Sequence, residues 1–591
     1  TASELSSFFS SVFQEEPYGP LEKDCYKRCD NFSEIGNLTF SVEDVEKELK
    51  ALNVDKSPGP DGIHPKLLRS LASDPSFVNA VYTLFLKCAT DRKIPDDWKM
   101  ANVVALHKKG ARDRAENFRP VSLTCVLGKV YQKLVRKHII GHAEGSVTRD
   151  QHGFIGGRSC TSNLLEAFDT IIDMMDEGLP VDILYFDFRK AFDTVPHHRL
   201  LVKLENIGIT GETLEIIKDF LSDREMRVGV GDSFSEVLKI VSGVPQGSVL
   251  GPILFLLFVN DLPDNIKNRI LLFADDLKLI ANAMNKEVID EDLRSLERWE
   301  GLWQLRFNLD KCKVLHISAN DNPRNKYYLD GTELLSTQSE KDLGFTMDEK
   351  FDFSEHIKAS LAKANRMIAW VSRNVICKDK VIMSTIYRCL VRPHLEYCVQ
   401  CWCPTPRFGN WGLILSIEKV QRKFTRLVND IGTLSYGARL TSLKLTTLAE
   451  RRMRGDLIET FKVVRGFVNY GQSLFKVSRS GLNLLSRGNK VSKSRKDFLG
   501  ERVVNYWNNL PSSVRLASSV DMFKCNLEAY KLSSIDNRFQ ASTNCYWEVS
   551  EHVLSRIETP SALAGRSALC EYWSENPWVA RKKGVNLFTS S

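Results

Sequence analysis

Two apolar runs on either side of a pair of adjacent acids limit most strongly what this chain can fold into. The segment Arg269–Ile280 reads RILLFADDLKLI, with Asp275 and Asp276 near its centre. Two β-forming runs around a tight polar centre are typical of an antiparallel hairpin with the acids at its turn. Because both strands are apolar enough to be buried, the two carboxylates are expected at the edge of a sheet.

A third acid ends another predicted strand. Val181–Asp187 reads VDILYFD and follows the break Gly178–Pro180, which indicates a buried strand, although an acid in this position is also a common helix cap. Adjacent carboxylates repel each other and favour a bound cation. With Asp187 on a neighbouring strand, Asp275 and Asp276 are placed to hold two divalent metal ions about 3.5–4 Å apart. Hard oxygen ligands select Mg²⁺, and such a pair activates a 3′-hydroxyl and stabilises leaving pyrophosphate.

Charge is distributed unevenly along the 591 residues, whose net charge is +7. Residues 361–500 contain 26 basic and 8 acidic residues, a local net charge of +18, so the rest of the chain carries −11. Lysine and arginine clustered at this density favour contact with a nucleic-acid backbone, although solvated helix faces give the same pattern. The basic segment is therefore a candidate nucleic-acid surface.

Composition excludes several other classes of protein. Hydrophobic residues make up 43% of the chain, which is ordinary for a multidomain globular protein and excludes wholesale disorder. The longest apolar run, residues 249–259, is too short to span a bilayer. The fourteen cysteines are scattered, which is typical of reduced thiols in an intracellular protein.

Three motifs in a fixed order resemble the catalytic core of reverse transcriptases. Residues 273–276 read FADD, residues 186–193 read FDFRKAFD, and residues 243–252 read GVPQGSVLGP. The form of the motifs is most similar to that of the jockey-like non-LTR retrotransposons (LINEs), and the resemblance covers about residues 40–530. The fold that it implies is α+β with a right-hand polymerase architecture: fingers, a palm with an antiparallel sheet, a helical thumb and a mainly helical C-terminal region.

The resemblance also implies a division into regions. Residues 1–60 form an N-terminal extension, residues 61–320 the fingers and palm, and residues 321–400 the primer grip and thumb, with a first thumb helix over 353–373. Residues 401–591 form a basic C-terminal region that is expected to bind nucleic acid.

Single residues receive roles from the same resemblance. Asp187, Asp275 and Asp276 correspond to the catalytic metal carboxylates, and whether Asp276 binds metal directly stays open. Phe188 is expected to give its backbone to the second metal or the triphosphate. Phe192 corresponds to an aromatic steric gate that excludes a ribose 2′-hydroxyl; the alternative is an ordinary core phenylalanine.

Cations are expected on the triphosphate side, because charge spreads over nonbridging oxygens in the transition state. Residues 101–123 read as a fingers hairpin that carries Lys108 or Lys109 together with Arg119, although a surface hairpin with solvated charges has the same pattern. By resemblance, these side chains bind the nucleotide triphosphate, and Gln246 contacts the nucleotide.

Two further basic positions are candidates. Lys311 or Lys313 is placed to protonate departing pyrophosphate as a general acid, unless both are simple surface lysines. In the segment 151–159, QHGFIGGRS, the glycines permit close backbone approach and Arg158 is a candidate contact for template phosphate.

The implied function is that of an RNA-directed DNA polymerase that extends a DNA 3′ end on an RNA template, as in target-primed reverse transcription. Its cofactors are two Mg²⁺ ions, for which Mn²⁺ can substitute. Its partners are element RNA, a DNA primer or nicked target DNA, and deoxynucleoside triphosphates, with no membrane. Its location is a ribonucleoprotein in nucleus and cytoplasm.

Two alternatives stay open at this stage. One is a domesticated or decayed copy that binds RNA without copying it, and the other is a polymerase of the same fold, such as a group II intron maturase. About sixty residues before the fingers are too few for the expected nuclease, so DNA nicking is either absent from this chain or lost by truncation, and an endonuclease upstream in the full element stays an open alternative. RNA specificity, target site and oligomeric state are not fixed by the sequence.

Overall fold

The strands of the protein, as a computed structural model shows them, form two larger sheets and several short hairpins. The structure describes residues 1–14, 16, 33–143, 145–317, 321–404, 411–488 and 492–536. Within these residues the strands are β1 (Met100–His107), β2 (Phe118–Leu123), β3 (Val181–Asp187), β4 (Arg224–Val230), β5 (Ser233–Phe234), β6 (Leu238–Ile240), β7 (Arg269–Phe273), β8 (Asp276–Asn282), β9 (Lys313–Ile317), β10 (Tyr328–Leu329), β11 (Thr332–Glu333), β12 (Leu335–Thr337), β13 (Ser339–Asp342), β14 (Phe345–Asp348), β15 (Lys476–Val477) and β16 (Leu484–Leu485).

Helices surround both sheets and make up most of the described C-terminal part. The α-helices are α1 (Ala2–Ser10), α2 (Val42–Lys50), α3 (Pro65–Leu71), α4 (Pro75–Asp91), α5 (Val126–Ala143), α6 (Cys160–Asp176), α7 (Ala191–Thr194), α8 (His197–Asn206), α9 (Gly211–Leu221), α10 (Gly251–Phe258), α11 (Lys286–Trp303), α12 (Ser354–Asn374), α13 (Lys380–Ile386), α14 (Pro393–Glu396), α15 (Val399–Trp402), α16 (Trp411–Thr425), α17 (Tyr436–Ser442), α18 (Leu448–Val464), α19 (Lys493–Asp497), α20 (Leu499–Arg502), α21 (Val504–Asn508), α22 (Ser512–Arg515) and α23 (Val520–Asp536). In the described part of the chain, no helix has the length and apolar character needed to cross a membrane.

The central sheet has the strand order β12-β9-β3-β8-β7 and is buried on both faces. Strand β3 lies between β8 and β9 and is antiparallel to both, whereas β12 is parallel to β9. Alternate side chains of β3 enter different cores: Val181 and Ile183 pack on one side, and Leu184 and Phe186 on the other. This two-residue alternation explains why the strand is apolar along almost its whole length.

The N-terminal sheet has the order β2-β1-β4-β5, with β6 also paired to β4. Strands β1 and β2 form the antiparallel hairpin predicted from the sequence, with Leu106 opposite Arg119. Helix α1 packs on this sheet through Phe9, which is buried together with Val103 and Val228.

The described part of residues 1–60, the predicted N-terminal extension, packs against residues that follow it. Helix α2 is capped by Ser41, whose side chain accepts a hydrogen bond from the Asp44 backbone while the Asp44 carboxylate accepts one from the Ser41 backbone. Val45 and Leu49 of the same helix are fully buried in the core shared with the residues after 60. Residues 15 and 17–32 lie outside the described residues.

One hydrophobic core joins the central sheet to the helices that follow it. This core extends from Leu164 of α6 through α12 to Leu527 of α23. Helix α12 confirms the predicted helix at 353–373 to within one residue at each end. The described part of residues 401–591 is mainly helical, as predicted, but packing does not break near residue 400. Residues 537–591 lie outside the described residues.

Part of the basic excess of residues 361–500 is internal. Arg495 is only 1% exposed, and Arg502, just beyond the segment, is buried as well. The carboxylate partners are Asp169, Asp173 and Asp176 for Arg495, Asp456 for Arg502, and Glu396 for the half-buried Arg451. Buried charges require such partners, so these arginines hold helices together and are not free to bind phosphate.

Candidate active site

The β7–β8 hairpin presents adjacent acids at one edge of the central sheet. Phe273 lies opposite Asp276, which leaves a two-residue turn formed by Ala274 and Asp275. Ala274 has φ of +56°, a left-handed conformation that is uncommon for a residue with a side chain. Strand β3 places Asp187 directly opposite Asp276, so three predicted carboxylates lie at the same edge.

A cleft of about 970 Å³ opens beside this edge. Ten of the residues proposed above line it: Asp187, Asp275, Asp276, Lys108, Lys109, Arg119, Phe188, Phe192, Gln246 and Lys311. Lys313, the alternative general acid, does not line the cleft and pairs with Glu340 at 2.7 Å. The structure therefore places these ten residues around one cleft, while their roles stay predictions.

Like charges crowd the acidic side of the cleft. Burial and the charge of Asp187 raise the pKa of Asp275. Burial, followed by the charges of Asp275 and Asp187, raises the pKa of Asp276 to about 6. Both shifts mark carboxylates that are poorly compensated by the protein itself, which is the condition that favours a bound cation.

The β1–β2 hairpin supplies the cationic side. Its turn is closed by a hydrogen bond from the Lys108 backbone to the Asn117 carbonyl, at 2.8 Å. Burial lowers the pKa of Lys108, and the positive charges of Arg119 and Lys311 lower it further, whereas Asp187 and Asp275 act in the opposite direction. The charges of both the cations and the acids of the cleft therefore affect the pKa of Lys108.

Two phenylalanines occupy different depths beside Asp187. Phe188 is buried, and its ring stacks on Phe307 with centroids 4.7 Å apart. Phe192 is half-buried and stacks on Phe255, also at 4.7 Å, while it lines the cleft. The ring of Phe192 is thus held in place from behind, and the steric-gate role stays a prediction.

The loop around Gln246 ties the N-terminal sheet to the cleft. The Gln246 side-chain amide donates to the Asp193 carboxylate at 2.8 Å, and the Gln246 carbonyl accepts from the Ser122 backbone at 2.7 Å. A side chain at Gly247, which has φ of +111°, would lie 2.5 Å from the Ser122 carbonyl oxygen. Only glycine allows this approach.

Sequence reasoning missed the residue that holds the catalytic turn. The Gln151 side-chain oxygen accepts from the Ala274 backbone at 2.9 Å and from the Gly153 backbone at 2.8 Å. A Cβ at Gly153 would lie 2.5 Å from the Ala274 nitrogen, which confirms the predicted close backbone approach. The only signal in the sequence is a glutamine two residues before a glycine, and it does not identify the partner.

Arg158 makes several hydrogen bonds within the protein. One terminal nitrogen of its guanidinium donates to the carbonyls of Thr148, Arg149 and Gln151 at 3.2, 2.9 and 2.5 Å. Three backbone acceptors fix this side chain on its own loop. The described partners of Arg158 also include the Asn469 side-chain oxygen, at 3.1 Å, and a contact with template phosphate stays a prediction.

One family model matches part of this chain. The model, described as "Reverse transcriptase (RNA-dependent DNA polymerase)", matches residues 106–347, from the last two residues of β1 to all but the last residue of β14. This segment is therefore similar to reverse transcriptases. The match covers every residue proposed above for the site.

Relatives of this chain include RNA-directed DNA polymerases from two Drosophila melanogaster mobile elements. The chain is 28% identical over 438 residues to the "Probable RNA-directed DNA polymerase from transposon BS", an alignment that covers 70% of this chain and 47% of the relative. It is 26% identical over 379 residues to the "RNA-directed DNA polymerase from mobile element jockey", covering 61% and 41%. These relatives support the jockey-like assignment. The chain spans less than half the length of each.

Divalent metal ions are general in this reverse transcriptase family, and the three carboxylates have suitable chemistry for them. In the structure, however, Asp187 accepts a hydrogen bond from the Lys311 ammonium at 2.8 Å. Among the described residues, no three His, Cys, Asp or Glu side chains are gathered as ligands of one ion. The donor set fits a metal, but Asp187 has to exchange Lys311 for it.

We expect Asp193→Asn to stabilise this protein more at pH 7.5 than at pH 5. Burial raises the pKa of Asp193 to about 6, against about 3.9 in an unfolded chain. The folded state therefore holds the extra proton, and stability falls as pH rises from about 4 to 6. Asparagine removes this penalty and still accepts from Gln246, so the gain above pH 6 is on the order of 1 kcal/mol.

Urea unfolding of both proteins at the two pH values measures this gain. The wild-type chain at each pH is the control. An equal gain at pH 5 and pH 7.5 would contradict a buried carboxylate with a raised pKa.

Proposed function

We propose that this chain is an RNA-directed DNA polymerase that adds deoxynucleotides to a DNA 3′ end on an RNA template. One observation carries the proposal: the acids Asp187, Asp275 and Asp276 share a cleft with Lys108 and Arg119 on a separate sheet. Nucleotidyl transfer needs this separation of charge, with anionic ligands for metal and cations for the triphosphate.

The residues divide the work as follows. Asp187, Asp275 and Asp276 would hold two Mg²⁺ ions, or Mn²⁺ in their place, which when bound activate the 3′-hydroxyl and neutralise charge on the phosphates. Lys108 and Arg119 orient the triphosphate, and Phe192 excludes a ribose 2′-hydroxyl. Lys311, freed from Asp187, is the candidate to protonate pyrophosphate.

We infer a right-hand arrangement from the two sheets. In this proposal the N-terminal sheet corresponds to the fingers, the central sheet to the palm, and α12 with the helices after it to the thumb. Helix α12 exposes Lys363, Arg366 and Arg373 to solvent. These bases suit contact with the phosphates of an RNA–DNA duplex, whose recognition depends on shape and backbone charge.

The proposed partners follow from this chemistry. They are element RNA, a DNA primer or nicked target DNA, and deoxynucleoside triphosphates, in a ribonucleoprotein of nucleus and cytoplasm. Target-primed reverse transcription is the process that joins these partners.

Primer extension on poly(rA)/oligo(dT) with dTTP tests the proposal. We expect incorporation that requires Mg²⁺ or Mn²⁺ and stops when EDTA removes the metal, because the acids alone do not activate the 3′-hydroxyl. Circular dichroism with and without EDTA controls for unfolding. Salt-sensitive RNA binding without incorporation by folded protein would instead favour a non-catalytic RNA-binding protein.

A further inference from the structure

A short segment far downstream of the catalytic motifs lies against the loop that holds the catalytic turn. The segment Asn469–Ser473 follows α18. Its Asn469 side-chain oxygen accepts from the Arg158 guanidinium at 3.1 Å, and the Gly471 backbone donates to the Glu166 carboxylate at 3.0 Å. The Ser473 hydroxyl donates to the Asp169 carboxylate at 2.8 Å. Three successive contacts therefore fix this segment to helix α6 and the loop before it.

Glu166 connects this segment to the catalytic hairpin. One carboxylate oxygen accepts from Gly471, and the other accepts from the Arg269 guanidinium at 2.8 Å and lies 3.3 Å from the His152 ring. Arg269 is the first residue of β7, the strand that leads to Ala274 and the adjacent acids. A single carboxylate, with its side chain 16% exposed, thus joins three distant parts of the chain.

The loop at residues 150–153, beside Glu166, runs along β7 towards the turn at Ala274 and Asp275. Asp150 accepts from the Leu272 backbone at 2.9 Å, and His152 donates its own backbone N–H to the Leu272 carbonyl at 2.9 Å. Gln151, between them, accepts from Ala274 through its side chain. Movement of His152 therefore moves the only side-chain acceptor that the described structure gives to the strained Ala274 amide.

We propose that the segment Asn469–Ser473 positions the catalytic turn through Glu166, so that the C-terminal region is a working part of the polymerase site. The inference rests on the proposed polymerase function and deepens it. Glu166 is a positioning residue: it does not line the cleft and acts through His152, Gln151 and Arg269. The chemistry is sensitive to such support, because a displacement of about 1 Å at reacting groups lowers rates by about 100-fold.

Glu166→Gln tests the proposal in the full chain. The glutamine side chain has one acceptor oxygen and one NH₂ donor group. Its NH₂ group therefore faces either Arg269 and His152 or the Gly471 N–H, where the glutamate offered an acceptor oxygen. We expect kcat for dTTP incorporation to fall by about 10-fold or more, with the KM for dTTP nearly unchanged. Asp173→Asn is the matched control, since Asp173 lies on the same helix and accepts from Arg487 and Arg495 at 2.8 and 2.6 Å.

Asp173→Asn removes a similar contact between α6 and the C-terminal region but does not touch the loop at 150–153. We expect its kcat to stay within about threefold of wild type, as for a partly exposed ion pair. If both variants lose kcat equally, the C-terminal region acts only through general docking and the proposal is wrong. Unchanged kcat in Glu166→Gln also overturns it.

Hydrogen exchange provides a readout that does not depend on activity. In Glu166→Gln, peptides covering residues 269–280 should exchange faster than in wild type, because the Ala274 amide loses protection. In Asp173→Asn they should not. If the wild-type protein shows no nucleotide incorporation, the proposed function fails. Hydrogen exchange still tests whether Glu166 supports the catalytic turn. If exchange at 269–280 is the same in both variants and wild type, the positioning role is excluded.

Discussion

Asp275→Asn should reduce nucleotide incorporation by about 1,000-fold, while the protein keeps its fold. The substitution preserves the shape of the side chain, and the described contacts of the turn are made by the Ala274 backbone and Gln151. What it removes is a negative charge that burial and Asp187 already disfavour, as the raised pKa of Asp275 shows. Without that charge, this position no longer attracts a cation.

The measurement is the rate of dTTP addition at saturating Mg²⁺ and again at saturating Mn²⁺. Asp310→Asn is the matched control, because Asp310 is an exposed acid near the same edge and is not among the proposed ligands. Equal losses of incorporation in the two variants would show that the rate depends on the total negative charge near the cleft and not on Asp275 itself. Activity close to wild type in Asp275→Asn would remove this residue from the metal site.

Phe192→Val is expected to lower the preference for deoxynucleotides over ribonucleotides by about 100-fold, mainly through gain of ribonucleotide use. Phe255 supports the ring of Phe192 from behind at 4.7 Å, so the ring cannot retreat from a 2′-hydroxyl. Valine is shorter and opens that space. The test compares kcat/KM for dTTP and UTP on the same poly(rA) template.

Phe154→Leu is the control for Phe192→Val, since Phe154 is another aromatic side chain of the same cleft, 6.4 Å from Phe192 between ring centroids. It should leave the sugar preference within about threefold of wild type. A variant at Phe192 that loses dTTP use without gaining UTP use would identify this residue as ordinary core packing.

Local patterns predicted the parts of the site that depend on neighbours in sequence. The β7–β8 hairpin, the strand that ends in Asp187 and the β1–β2 hairpin all follow from apolar runs and the turns between them. The family resemblance then selected residues that share one cleft. The register of β3 and β8 places Asp187 opposite Asp276. The alternation of apolar side chains along a strand does not by itself specify this register.

Contacts between distant segments could not be predicted in this way. Nothing near Gln151 indicates that its partner is Ala274, and nothing near Gly471 indicates Glu166. The charge of Arg495 was visible, but its burial against α6 was not, because a net charge does not reveal where the opposite charges lie in space. The same limit applied to α1, whose side chains pack on the N-terminal sheet.

The pairing of Arg495 with Asp169 has a consequence for the order of synthesis. The two residues are 326 positions apart, so at about 5–20 residues per second roughly 15–65 s separate their appearance on a ribosome. During that interval the acids of α6 have no Arg495 partner, and the core that α6 shares with the later helices is incomplete. The nascent protein therefore makes α6 well before the segment that neutralises its acids, and chaperone contact with α6 is expected until that segment arrives.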